Sequence, residues 1–155
     1  RTGGVHPSAL SVSLFLERTV MIFHPKDREY EPADPRHFTG SARVARRLGV
    51  ATNPEVNVYR VIFAAHARTA WHVHSGTQLL VVLEGECLLV MHGQGIQVIS
   101  AGGAVVIPPG EKHWHGAPPL TQMTHLAINV NATTKWLELV TDKDYGLYTS
   151  EFFRE

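Results

Sequence analysis

The sequence predicts an all-β fold, an antiparallel barrel or jelly roll, with one short helix at its C-terminal end. Three observations carry this reading. From Asn57 to Val130 apolar residues alternate with polar ones or run in blocks of strand length, Gly and Pro punctuate the blocks at short intervals, and no helical period appears before Thr133.

Taken in order, Ser11 to Leu16 is too short and too interrupted by Ser for a secretory core, and Glu17 and Arg18 follow it directly, so no signal peptide is expected. The alternation of Ser13 and Phe15 with Val12 and Leu14 suits an edge strand. From His24 to Pro35 the density of Pro, Asp, Glu and Lys predicts an extended arm without a packed core of its own, the kind that crosses to a neighbouring subunit. Phe38 to Val44 opens the body of the fold, and Arg43, Arg46 and Arg47 read as a solvated basic face. Asn57 to Ala64 alternates, with Tyr59, Val61 and Phe63 on one face and Val58, Arg60 and Ile62 on the other. The arginine should point outward, which turns Tyr59 and Val61 toward an interior pocket.

Leu79 to Leu83 is the next apolar run. Gly85 to Met91 and Ile96 to Ile99 form a hairpin about His92-Gly93-Gln94-Gly95, with Cys87 as a small buried hydrophobe. Ala104 to Ile107 is a short buried strand between Gly102-Gly103 and Pro108-Pro109-Gly110, and Met123 to Val130 is another. Trp136, Leu137, Leu139 and Val140 predict a helix that starts after Thr133-Thr134 and packs outside the barrel. Phe152 and Phe153 in the tail call for docking on the body or on a partner.

The 155 residues suit one domain: an N-terminal extension and arm over 1–36, whose first twenty residues are expected to come from an upstream start, a single barrel over 37–145, and a tail over 146–155. Fourteen basic residues balance fourteen acidic ones, which leaves no electrostatic footprint for nucleic acid or an acidic membrane surface and favours a small-molecule ligand. The lone Cys87 excludes an internal disulfide framework and makes the reducing cytoplasm the default compartment. No apolar run approaches bilayer-spanning length.

Of ten histidines, seven fall between His66 and His125. His72 and His74 stand two apart on a strand and share a face, a chelating pair. After the Ser75-Gly76 turn, Gln78 brings an amide oxygen to the same point, and the turn at Pro108-Pro109-Gly110 delivers His113. Three imidazoles and one amide oxygen suit a divalent first-row metal and leave positions open for substrate. His115, two residues after His113, faces the same cavity without being needed as a ligand, and a nearby cation keeps it neutral and available as a general base. Trp71 and Trp114 flank ligands on the opposite strand face, and His66 should lie at the surface.

His72-x-His74-x-x-x-Gln78 followed by Gly85, then Gly103, Pro108-x-Gly110 and His113, resembles the two motifs of the cupin superfamily, whose fold is a double-stranded β-helix, or jelly-roll barrel. Gln78 stands where the first motif usually has Glu. With Ala67 to His72, Pro109 to Ala117 and Met123 to Ile128, the sequence is similar to the small bacterial manganese-dependent cupin hydroxynitrile lyases, a resemblance that spans Phe38 to Tyr145. It implies Mn2+ as the cofactor, with Fe2+, Zn2+ or Ni2+ as alternatives on the same ligands. It further implies that Thr69 is a pocket residue and that the strand face carrying His125, Ala127 and Asn129 lines the pocket. An alternative for Thr69 is a hydroxyl that satisfies backbone at a strand start.

An amide in place of a carboxylate leaves the metal one unit more positive, a stronger Lewis acid that favours substrates bringing their own oxygen anion. The first functional expectation is a lyase that cleaves 2-hydroxy nitriles to a carbonyl compound and cyanide, with His115 as base and His125 assisting the departing cyanide. A cupin dioxygenase on the same ligands is the alternative, and a non-catalytic binding cupin is the third. Val61, Phe63, Leu80 and Ile128 are expected as apolar cavity walls. Edge strands and the arm call for a homodimer or homotetramer.

Overall fold

The computed structural model describes residues 21–26 and 29–150. The possible edge strand within Ser11 to Leu16 and the tail aromatics Phe152 and Phe153 lie outside the described residues. Two antiparallel sheets curl toward each other. The first holds, in spatial order, β1 (Glu31–Pro32), β3 (Ala42–Thr52), β4 (Glu55–Phe63), β12 (Met123–Val130), β7 (Thr77–Glu84) and β10 (Ala104–Ile107). The second runs β13 (Thr134–Trp136), β6 (His72–His74), β11 (His113–Gly116), β5 (Arg68–Thr69) and β2 (Phe38–Thr39), with β8 (Glu86–Met91) on β11 and β9 (Ile96–Ser100) on β8. Among the described residues no helix is long and apolar enough to cross a membrane.

The alternation seen in the sequence sorts side chains between two environments. Inward residues of both sheets, among them Val44, Val61, Phe63, Val82, Cys87 and Met123, form one buried cluster, and Leu80, Leu89, Ile107 and Ala127 form another. The opposite face of the second sheet buries Trp71, Leu88, Val90 and Trp114 beneath the helix α1 (Asp142–Thr149), which contributes Tyr145. Both tryptophans therefore lie on the face away from the interior. Thr141 caps the helix by accepting from the Asp144 amide at 3.1 Å, and the Tyr145 hydroxyl donates to the Ala117 carbonyl at 2.7 Å.

Arg68 ties this layer to the barrel. Its side chain is buried, donates twice to the Val140 carbonyl at 3.2 and 2.7 Å, and lies 4.5 Å from the Tyr145 ring centre. The bonds to a buried carbonyl hold it there, since its ion-pair partner Asp142 is almost fully exposed and water screens the attraction.

The helix starts later than the sequence predicts. Trp136 to Val140 is not helical; Thr134, Lys135 and Trp136 instead pair with His74, Val73 and His72. The free edge of β6 offers a ladder of hydrogen bonds, and that tertiary pairing overrides the short apolar stripe. The end of the arm also has a definite place: Glu31 and Pro32 pair with Val44 and Arg43 of the same chain, and Ala33 packs against the barrel core.

Candidate metal centre and cavity

The site is built from the facing interiors of the two sheets. His72 and His74 project from β6 on one face, and His113 on β11 is the cross-strand partner of His72. Ring centres lie 4.2 Å apart for His72 and His113, 5.0 Å for His72 and His74, and 5.3 Å for His74 and His113. One ring nitrogen from each comes within 4.8 Å of the others, and all three residues are buried. Gln78 reaches in from β7 of the opposite sheet, its Oε1 at 3.3 Å from His113 Nε2.

Hydrogen bonds behind the rings decide what the rings present. His72 Nδ1 donates to the Ala70 carbonyl and His113 Nδ1 to the Glu111 carbonyl, each at 2.8 Å. A carbonyl can only accept, so both protons sit on Nδ1 and both Nε2 lone pairs are free for a cation. His74 Nδ1 bonds to the Thr134 hydroxyl at 2.9 Å, and its buried Nε2 has no protein partner. The two free lone pairs of His72 and His113, buried beside the His74 ring and an amide oxygen, fit a divalent metal ion. Burial holds His72 well below the ordinary imidazole range, with the neighbouring His113 adding to the effect, and it brings His113 down to about 4. Both imidazoles therefore stay neutral at physiological pH, the form a metal ion requires.

Beside this set, His115 and His125 form a second pair. His125 Nε2 and His115 Nδ1 are 3.0 Å apart and share one proton, while His115 Nε2 and His125 Nδ1 are buried without a partner. Burial depresses both: His125 falls to about 4, and His115 lies well below its usual value, the neighbouring His125 adding to its shift. Thr69 serves backbone by accepting from the His115 amide at 3.2 Å, and its oxygen also lies 3.5 Å from His72 Nδ1.

Thr69, His72, His74, Gln78, His115 and His125 line a cavity of about 720 Å³, whose wall also includes Tyr59, Val61, Phe63 and Asn129. Asn129 accepts from Gln78 Nε2 at 2.9 Å, and burial raises the Tyr59 phenol. Two expected walls are displaced. Ile128 alternates with Ala127 and Asn129 and so turns to the other face of β12, while Leu80 is buried among Leu89, Ile107 and Ala127. His66 is exposed as expected.

The structure adds residues that the sequence reading left out. Trp136 lines the cavity, with its ring centre 4.8 Å from His72 and stacked at 4.4 Å on His37 near Asp34. The basic cluster splits: Arg46 lies on the cavity side with Val44, pairing with Glu31 at 3.2 Å, whereas Arg43 is exposed over Tyr30. A period of two through Val44, Arg46 and Leu48, matched to Tyr59 and Val61 across the hairpin, is the signal that finds it.

Comparison with known proteins agrees with this geometry. The family model described as Cupin domain matches residues 59–128. Over 117 residues the chain is 42% identical to an (R)-mandelonitrile lyase of Granulicella tundricola, covering 74% of this chain and 88% of that protein. A cupin-like protein from Thermotoga maritima superposes with TM-score 0.72 at 32% identity, over 76% of this chain and 92% of its own. The polyketide cyclase RemF of Streptomyces resistomycificus, at 20% identity and TM-score 0.58 over 81% and 92% of the two chains, shares the fold. The chain belongs to the cupin family.

The depressed imidazoles couple stability to pH in the metal-free protein. An unfolded histidine takes its proton near 6.5, whereas folded His113 and His125 take theirs only near 4. Between these values the unfolded chain binds more protons, so stability falls as pH falls through the window, by up to roughly 1.4 kcal/mol per pH unit for each such imidazole. Urea unfolding of chelator-treated protein between about pH 7.5 and 4.5 checks this. A midpoint that does not move across the window contradicts the buried-neutral assignment.

Proposed function

We propose that the protein is a metal-dependent lyase that cleaves small 2-hydroxy nitriles to a carbonyl compound and cyanide, with Mn2+ held by His72, His74, Gln78 and His113. The observation that carries this reading is the His115–His125 pair: two buried, neutral imidazoles on the cavity wall beside the donor set, each with one unpartnered ring nitrogen. The similarity to an (R)-mandelonitrile lyase supports the same chemistry.

A bound divalent ion supplies Lewis acidity that makes a substrate hydroxyl easier to deprotonate. His115 Nε2 accepts the hydroxyl proton, and the oxygen electrons form the carbonyl as the bond to the nitrile carbon breaks and cyanide leaves with that electron pair. The proton passes from the histidine pair to cyanide, so the balance is one hydroxy nitrile to one carbonyl compound and one hydrogen cyanide. Thr69 fixes the strand position of His115 through its backbone amide, while Tyr59, Val61 and Asn129 shape the room for the substituent. Phe63, with its ring centre 5.1 Å from His125, makes an apolar wall suited to an aryl or alkyl group.

The proposal includes a cytoplasmic homodimer or homotetramer. Supporting it are the two-residue strand β1 at a sheet edge and the exposed apolar side chains of Met21, Ile22, Phe23 and Val106. Light scattering at several concentrations should return the mass of a dimer or tetramer. A monomer mass throughout overturns the assembly.

Mandelonitrile under nitrogen at mildly acidic pH tests the chemistry. The manganese-loaded protein should release aldehyde at a rate that survives anaerobiosis and vanishes with a chelator. His115→Ala should lower that rate by roughly a hundredfold or more with unchanged metal content. No cleavage above background, together with oxygen consumption by the iron-loaded protein on a diketone, replaces the lyase with a dioxygenase. Binding without turnover of either substrate makes it a sensor.

A further inference from the structure

Gln78 is chemically two-faced. One end of its amide is an oxygen that can ligate a cation; the other is an NH2 group that repels one. The two ends have nearly the same shape, so packing alone does not choose between them. His113 does not choose the oxygen either, because its Nε2 carries a lone pair and would readily accept a hydrogen bond from a reversed amide.

The choice is made across the strand pair, given that Asn129, itself an amide, stands with its oxygen and not its NH2 group toward Gln78. Asn129 on β12 is the register partner of Gln78 on β7, both side chains are buried, and Gln78 Nε2 donates to Asn129 Oδ1 at 2.9 Å. That bond turns the NH2 group toward β12 and leaves Oε1 at 3.3 Å from His113 Nε2, an oxygen facing a nitrogen with no proton between them. Two electron pairs at that distance repel unless a cation lies between them. We infer that Asn129 is a positioning residue: by accepting from Gln78 Nε2 it turns the amide oxygen toward the three imidazoles and makes Gln78 a metal ligand.

The inference rests on the metal-site reading and adds a requirement to it. A carboxylate, as in the usual form of the motif that Gln78 replaces, presents oxygen whichever way it is turned and needs no such partner. An amide ligand needs an acceptor behind it. Asn129 therefore bears on metal retention before it bears on the substrate.

The test uses the full chain and Mn2+ alone, with free Mn2+ followed by its electron paramagnetic resonance signal and folding of each metal-free variant checked by circular dichroism. Asn129→Leu, which removes the acceptor at similar size, should weaken Mn2+ binding about 10- to 100-fold, the range for loss of a partner behind a metal ligand. Asn129→Ala should do the same without added bulk and serves if the leucine variant misfolds. Asn129→Asp can only accept, so it should bind Mn2+ at least as tightly as wild type. Adding Gln78→Glu to Asn129→Leu should restore the affinity of Gln78→Glu alone, because both ends of the carboxylate are oxygen.

A purely structural role at 129 predicts no such suppression. If wild type binds Mn2+ and the folded leucine and alanine variants bind it equally well, the inference is overturned while the metal site stands. If the Gln78→Glu change leaves the double variant as weak as Asn129→Leu, orientation is not the cause. If wild type binds no Mn2+, both readings fall together.

Discussion

Everything this site can do depends on where two protons sit. His72 and His113 use the same local device, each donating Nδ1–H to the carbonyl of the residue two positions earlier, Ala70 and Glu111. Had those protons been on Nε2, the rings would point N–H groups at one another and no cation could enter. The turns before β6 and β11 are thus part of the centre, because they supply the carbonyls that set the tautomers. Burying lone pairs without partners costs about 1–3 kcal/mol for each group, and a bound ion offsets that cost by mass action.

The second constraint is close approach of backbone. Gly76 begins the passage from β6 in one sheet to β7 in the other, and a Cβ there would meet the Val130 carbonyl oxygen at 2.4 Å. Only glycine lets the chain cross that tightly and bring Gln78 opposite the histidines. Gly116 plays the matching part at the end of β11. A Cβ on it would stand 2.5 Å from the Ala67 carbonyl oxygen, so its absence keeps β11 against β5, where the Thr69 hydroxyl reaches the His115 amide. Geometry at the two histidine pairs is in this sense inherited from glycine positions outside them.

How much of this was legible in the sequence follows from which signals are local. The His72 and His74 pair, the strand face of Tyr59, Val61 and Phe63, and the alternation of Met123 to Val130 rest on a period of two, which survives any tertiary context. The same period, carried one strand further, separates Ile128 from Asn129 and Arg46 from Arg43. Trp136 could not be placed this way. Its segment has an apolar stripe too short to define a helix, and what makes it a strand is the open edge of β6, sixty residues earlier in the chain. The bond from Gln78 to Asn129 was equally out of reach, because register between β7 and β12 is a property of the sheet and not of either segment. Motif spacing named the donors; only the fold showed what stands behind them.

The central claim is that imidazoles from β6 and β11 converge on one ion within the cavity. The most direct measurement is pulsed electron paramagnetic resonance of the Mn2+-loaded protein, which detects nitrogen nuclei bound to the metal. The account predicts one tightly held Mn2+ per chain with strong imidazole nitrogen modulation, reduced in His113→Ala. A spectrum of Mn2+ ringed by water alone, or one that does not change when His113 is removed, would contradict it.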